Sequence, residues 1–376
     1  MSMSSSPGED LLAIEEAANN FLSQEYDFRR RNIYLQGTGN VERSLWRRFA
    51  DLGWLGLSLP EDYGGAGGSA VESWMLLQRL GAYLVLEPYL SSVVVCGWPL
   101  VTHGRKQVRD RLLPELIAGR IQLSLALNEP EGKHPNIITT LATPMDGGWR
   151  LVGHKSVVLG APTADYLLLS ARCDAQRIVL LIRPDDAGVM IRPYRLIDGR
   201  TAGEILFDGA RVGPDSLLAV GPEADELLDV ARLAGAFGCV AESVGVMKAA
   251  LAATVEHVRA RRQFGQALSG FQAIRHRIAA MHIACEEADA LGWRAAQAYS
   301  LADPKERLAA IAAAKSDVGQ SARRVCEEAV QFHGAIAITD EFPVGHYLKR
   351  AVVNERLFGN SELWTEHFSK AVFGWP

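Results

Sequence analysis

Residues 121–220 read as strands set between two helical blocks, and no other feature constrains the fold as strongly. Between Ile121 and about Val220 the runs QLSLAL, WRLVGHKSVV, DYLLLSA, RIVLLI and GEILFDGARV are separated by Gly, Pro and Asp turns. That is the pattern of a compact all-β module, a small barrel or sandwich. Upstream, DLLAIEEAANNFLSQ places Leu11, Leu12, Ile14, Ala18 and Phe21 at three- and four-residue spacings, and SLWRRFADLGWLGLSL repeats the layout. Pro60 and the glycines of PEDYGGAGGS interrupt it. Helices are expected again over Val71–Leu84 and Gln107–Leu116, with Gly119 as a C-cap. Downstream of Ala224 the helical period returns, with Phe271, Ile274, Ile278, Met281 and Cys285 along one face and alanine throughout, as close helix packing favours. The expected architecture is an α+β multidomain chain: an N-terminal helical domain (1–120), a middle small β-barrel (121–223) and a C-terminal four-helix bundle (224–376).

Several function classes are disfavoured. The net charge is −5 with both signs interspersed, so no basic stripe is available to neutralise a nucleic-acid backbone. No apolar run approaches the ~20 uncharged residues of a bilayer span, and MSMSSSPGED lacks the layout of a secretion signal. A soluble, cytoplasmic protein with no membrane insertion is expected. Cys96, Cys173, Cys239, Cys285 and Cys326 are scattered in apolar surroundings without CxxC or metal-ligand spacing, and read as small core residues with no metal site.

More specific are RRQFGQALSGFQAIRHRIAAM and QFHGAIAITDEFPVGHYLKR, joined by LGWLGLSLPEDYGGAGGS, LPELIAGRIQLSLALNEP and LFDGARV. Together and in this order they closely resemble the acyl-CoA dehydrogenase family over almost the whole chain. Among its subfamilies, YDFRRRNIYL, LEPYLSSVV and KSVVLGAPTADYLLLSAR are similar to pimeloyl-CoA dehydrogenase small subunits. The resemblance implies an FAD enzyme that takes the α-proton of an acyl-CoA thioester with a glutamate base while the β-hydride moves to the flavin, and that passes electrons to an electron-transfer flavoprotein. Because the α-carbon is a weak acid, such a site must both hold a carboxylate near the proton and stabilise enolate-like charge.

Residue by residue, Arg261, Gln263 and Phe264 match the family's R-x-[QT]-F-G element. Its arginine reaches the FAD pyrophosphate of a neighbouring subunit, a task suited to a planar guanidinium, and its aromatic lines the adenine pocket. Leu268, Phe271 and Ile274 fall at the following adenine-side positions, and Gln331 with Gly334 match the Q-x-x-G element. The plainer reading makes Arg261 one of several solvated arginines in VRARRQF and Phe264 a core residue.

Departures concern the chemistry itself. Aligned from Gln331 through Glu341 and Pro343, the family's usual catalytic glutamate falls on Phe358, and a phenyl ring cannot take a proton. Some members place the base at the start of the first long helix of the C-terminal bundle, where this chain has Gly235 and Ala236. The E-P-x-x-G-S-D loop reads EPEGKHPN, keeping Glu129 and Pro130 only; K-x-W-I-T-N, whose Trp and Thr touch the flavin ring, reads KSVVLG, with Val157 and Leu159 in their places. Adenine-side matches survive where ring-side matches are lost.

This split suggests a base-lacking small subunit that completes the FAD site of a related large subunit, in an αα/ββ heterotetramer. Three alternatives stay open: a flavin-dependent monooxygenase on the same fold, a self-sufficient dehydrogenase with a non-standard base, and a flavin-free scaffold. For such a base the acids are Glu242, Glu355 and Glu362. Glu242 lies seven residues after Gly235 on the same helix face, and Glu362 would sit ~6 Å beyond Phe358 if that segment were helical. His282, His333 and His346 are further titratable groups, each more simply read as packing or surface residues.

Overall fold

A computed structural model describes residues 7–36, 43–130, 137–301 and 303–375. The chain divides into two compact units that interleave in sequence: one holds 1–33, 69–85 and 236–376, the other 34–68 and 86–235.

In the first unit the α-helices are α1 (Pro7–Glu25), the start of α2 (Phe28–Gln36), then, with α3 (Arg43–Asp51) lying in the other unit, α4 (Ala70–Ala82). Ser69 closes the glycine-rich break as N-cap of α4, accepting from the Val71 amide while Glu72 accepts from the Ser69 amide, a reciprocal capping box. In the second unit, α5 (Trp98–His103) continues a π-helical segment Leu90–Gly97, and α6 (Lys106–Ile117) ends where Gly119 adopts φ +67, as its expected C-cap role requires.

Eight strands follow in the second unit: β1 (Leu123–Ala126), β2 (Leu141–Met145), β3 (Gly148–Leu159), β4 (Tyr166–Cys173), β5 (Gln176–Ile182), β6 (Val189–Arg195), β7 (Thr201–Val212) and β8 (Leu217–Val220). They pair in the order β6-β7-β3-β2-β4-β5-β8, with β1 parallel to β4. The middle domain is thus a single sheet whose end strands β6 and β8 are not paired with each other among the described residues. Leu151, Leu167, Leu169, Ile178, Leu180, Ile205 and Phe207 form its buried core. Pro193 lies on the edge strand β6, where a missing amide is tolerated.

α7 (Pro222–Ala260) begins in the second unit and ends in the first, followed by α8 (Gln272–Tyr299), α9 (Pro304–His333), α10 (Pro343–Arg356) and α11 (Ser361–Phe373). α7 does contain an 18-residue window apolar enough to cross a membrane, with a mean hydropathy of 1.4, but 72% of that window is buried inside the protein, as in a core helix. Glycines set how closely α7 and α8 approach α4. A Cβ on Gly81 would fall 2.2 Å from the Glu242 carbonyl oxygen, one on Gly245 1.9 Å from that of Gln78, and one on Gly292 2.0 Å from the Trp74 ring. α4 and α7 therefore touch backbone to backbone.

Candidate functional site

The residues that match the family's adenine-side elements fall just past the end of α7, at the start of α8 and at the end of α9. Past α7 the chain forms a two-residue hairpin, β9 (Arg262–Gln263) pairing with β10 (Gln266–Ala267), and the Leu268 amide donates to the Arg261 carbonyl at 2.9 Å. Its loop residues Phe264 and Gly265 have φ of +49 and +83, the two positive values of a type I′ turn. A non-glycine residue in that conformation is uncommon. The turn leaves the Phe264 ring 86% exposed, touching Phe271 edge-on at 6.2 Å. Arg261, Gln263 and Gln331 are exposed, whereas Leu268, Phe271 and Ile274 are half-buried. Gly334, at φ +65, has open space where a Cβ would stand.

A residue that the sequence reading overlooked joins these elements. His257, one helical turn before Arg261, packs against buried His333 in a tilted ring pair with centroids 4.3 Å apart, and the His333 Nδ1–H donates to the Ala329 carbonyl. Burial, with His333 and Arg261 adding to it, holds the His257 imidazole below its ordinary value, so it is neutral beside the guanidinium. The four-residue spacing of His257 and Arg261 was the available signal.

Neither position of the family's base carries one. Gly235 and Ala236 are buried inside α7. Phe358 lies in the turn between α10 and α11 at φ +58, followed by Gly359 at +105, and Trp364 Nε1 donates to its carbonyl at 3.0 Å. That turn is not helical, so the helical rise invoked for Glu362 does not apply; Glu362 is exposed in the first turn of α11. Glu355 accepts from the Ser361 amide at 3.3 Å and pairs with Arg356 at 2.9 Å. Glu242 is buried, and its Oε2 accepts from Asn354 at 3.1 Å and from fully buried Arg350 at 3.5 Å. Arg350 also donates to the Val85 carbonyl at 2.9 Å. A carboxylate so engaged is a counter-ion to Arg350. His282 is exposed, 3.8 Å from Glu286. His346 is buried, accepts from Arg31 at Nδ1, and is pushed down to about 4 by burial, Arg31 and Lys349 against the opposing influence of Asp340.

In the β domain, Glu129 survives as part of a buried knot. Its carboxylate lies 2.6 Å from Lys155 Nζ and accepts from the amides and hydroxyls of Thr139 and Thr140. Burial would raise the carboxyl, but Lys155 and the hydrogen bonds outweigh it and hold it at about 2; burial brings Lys155 down to about 8 although Glu129 opposes it. The lost Gly-Ser-Asp of EPEGKHPN falls in 131–136, outside the described residues. Of the two ring-side positions, Val157 is 37% exposed and Leu159 is buried at 8%. Both side chains lack any donor or acceptor. The adenine-side set thus fits a dinucleotide, with an exposed guanidinium, an aromatic face and a glycine open to close approach. At the two ring-side positions no side chain can hydrogen-bond an isoalloxazine.

Residues 8–120 match the model of the acyl-CoA dehydrogenase N-terminal domain, and residues 225–373 that of the C-terminal domain. The chain is 28% identical over 330 residues to acyl-CoA dehydrogenase FadE27 of Mycobacterium tuberculosis, covering 85% of each. Among solved structures it is similar to a variant of the Tcur3481-Tcur3483 steroid ACAD (27% identity, TM-score 0.87, 98% of both chains). It is also similar in fold to a chain of the ChsE4-ChsE5 complex from Mycobacterium tuberculosis (23% identity, TM-score 0.88, 100% of both chains).

Proposed function

The chain belongs to the acyl-CoA dehydrogenase family, and from that premise we propose that it is the small, base-lacking subunit of a heteromeric, FAD-dependent acyl-CoA dehydrogenase, of the kind found in pimeloyl-CoA dehydrogenases. FAD, when bound, supplies the hydride acceptor. This chain's part is to hold the dinucleotide: Arg261 pairs with its diphosphate, Phe264 and Phe271 cover the adenine, and Gln331 and Gly334 lie against the same group. The large subunit contributes the glutamate and the ring pocket, and an electron-transfer flavoprotein takes the electrons. Two names among the similar structures are names of protein pairs, which supports pairing with a related chain, and the burial of α7 supports its being a core helix of a soluble complex, which this reading places in the cytoplasm.

One observation carries this reading: the hairpin turn holds Phe264 86% exposed, so it lines no pocket in its own subunit. An exposed aromatic on a rigid two-residue turn is a natural insertion into a partner. The test is the visible spectrum of the purified chain, alone and co-purified with a related large subunit, each titrated anaerobically with acyl-CoA. A colourless lone chain and a yellow pair that bleaches are expected. A lone chain that is yellow and bleaches by itself defeats the proposal.

A further inference from the structure

Two imidazoles join the root of the Phe264 hairpin to the end of α9. On the hairpin side, the Arg261 amide donates to the His257 carbonyl at 2.8 Å, and the Arg261 carbonyl accepts from the Leu268 amide at 2.9 Å, which closes the hairpin. His257 thus stands one backbone hydrogen bond behind the residue that carries the guanidinium. On the other side, His333 is buried in the last turn of α9, two residues after Gln331 and directly before Gly334. Its Nδ1–H is engaged by the Ala329 carbonyl of its own helix, and among the described residues its Nε2 has no hydrogen-bond partner. Ring contact is therefore what orients His333 from outside α9: His257 at 4.3 Å between centroids and Phe342 at 5.1 Å. Burial, with His333 and Arg261 adding to it, keeps the His257 ring neutral, so it packs there without setting a second cation beside the guanidinium.

We propose that His257 is a positioning residue: by packing on His333 it fixes the hairpin against the end of α9, so that Arg261 and Gln331 are presented together to one dinucleotide. His257 lies outside both matched motifs, since R-x-[QT]-F-G begins at Arg261 and Q-x-x-G at Gln331. The inference rests on the proposed trans FAD site and adds to it a residue that never touches the cofactor. Its influence passes through Arg261, and coupled residues of that kind give non-additive effects.

Flavin absorbance during stepwise dilution of the co-purified pair tests it. His257→Ala is expected to weaken FAD retention about 2- to 10-fold, the worth of one aromatic pair. His257→Phe keeps a ring against His333 and should restore retention. In an Arg261→Ala background, His257→Ala should cause no further loss. Retention equal to wild type in His257→Ala, no recovery in His257→Phe, or a loss that adds to that of Arg261→Ala overturns the assignment. A second readout needs no flavin. In the lone chain, the Leu268 amide should exchange about tenfold faster in His257→Ala, with protection regained in His257→Phe, and unaltered exchange also overturns it. The two proposals fail separately. If Arg261→Ala leaves FAD retention untouched while His257→Ala still frees the Leu268 amide, the trans reading falls and the tie between hairpin and α9 stands. If Arg261→Ala weakens retention and His257→Ala does not, only the role of His257 falls.

Discussion

Phe358 occupies a backbone position that a glutamate could fill without rebuilding the turn. Any residue other than glycine at φ +58 meets the left-handed penalty of roughly 1–2 kcal/mol, so Phe and Glu share it. Phe358→Glu is therefore expected to fold, losing no more than about 2 kcal/mol of half-buried apolar contact. Purified alone, it should still fail to bleach a flavin with acyl-CoA, because the ring-side positions stay unsuited; robust turnover by the lone variant in an anaerobic assay would refute the division of labour. His346 gives a second residue-scale prediction. Its folded value of about 4 lies below the unfolded value of roughly 6.5, so between these the unfolded chain binds more protons and stability rises with pH. The contribution is complete above pH 6.5 and is lost as pH falls toward 4, at most about 3 kcal/mol. Urea unfolding across pH 4.5–7 should show a shallower slope in His346→Gln, and an identical slope would mean that other groups set the acid limit.

Elements were more legible than their contacts. The periods that marked Val71–Leu84 and Gln107–Leu116 end up as α4 and α6, because an apolar stripe at helical spacing and a capping serine act locally. The strand runs appear as β1, β3, β4, β5 and β7, but β2, β6 and β8 went unmarked: β6 alternates exposed and half-buried residues around Pro193 and offers no apolar run. The Phe264 turn was hidden for a different reason, since Phe-Gly is not a pair from which two positive φ values are expected. Nor does a helical glycine reveal what it faces. Gly81 and Gly245 matter because α4 and α7 meet backbone to backbone there, so Gly245→Ala must push the helices apart. The expected cost is about 3 kcal/mol, at the upper end of overpacking, against under about 1 kcal/mol gained in helix propensity. A denaturant midpoint no lower than wild type would show that the two helices can shift freely.

For the whole molecule, the sequence placed the family, since that rests on short motifs whose residues stay close in the chain. Role assignment was harder: Glu242 looked like an available acid until Arg350 and Asn354, more than a hundred residues away, were found at its carboxylate. A subunit built to complete another chain's cofactor site should separate stability from binding, and Arg261 tests that separation. Its guanidinium is exposed, so Arg261→Ala should change the lone chain's unfolding free energy by no more than about 0.5 kcal/mol. In the pair, charged hydrogen bonds to a diphosphate are each worth roughly 1.5–3 kcal/mol, which predicts FAD retention weakened about 10- to 100-fold. Arg261→Lys keeps the charge but loses the paired donors and should fall between the two. Flavin absorbance after stepwise dilution of the yellow complex reads this order directly. If all three proteins release FAD alike, Arg261 is a solvated arginine and the diphosphate is held by the partner alone.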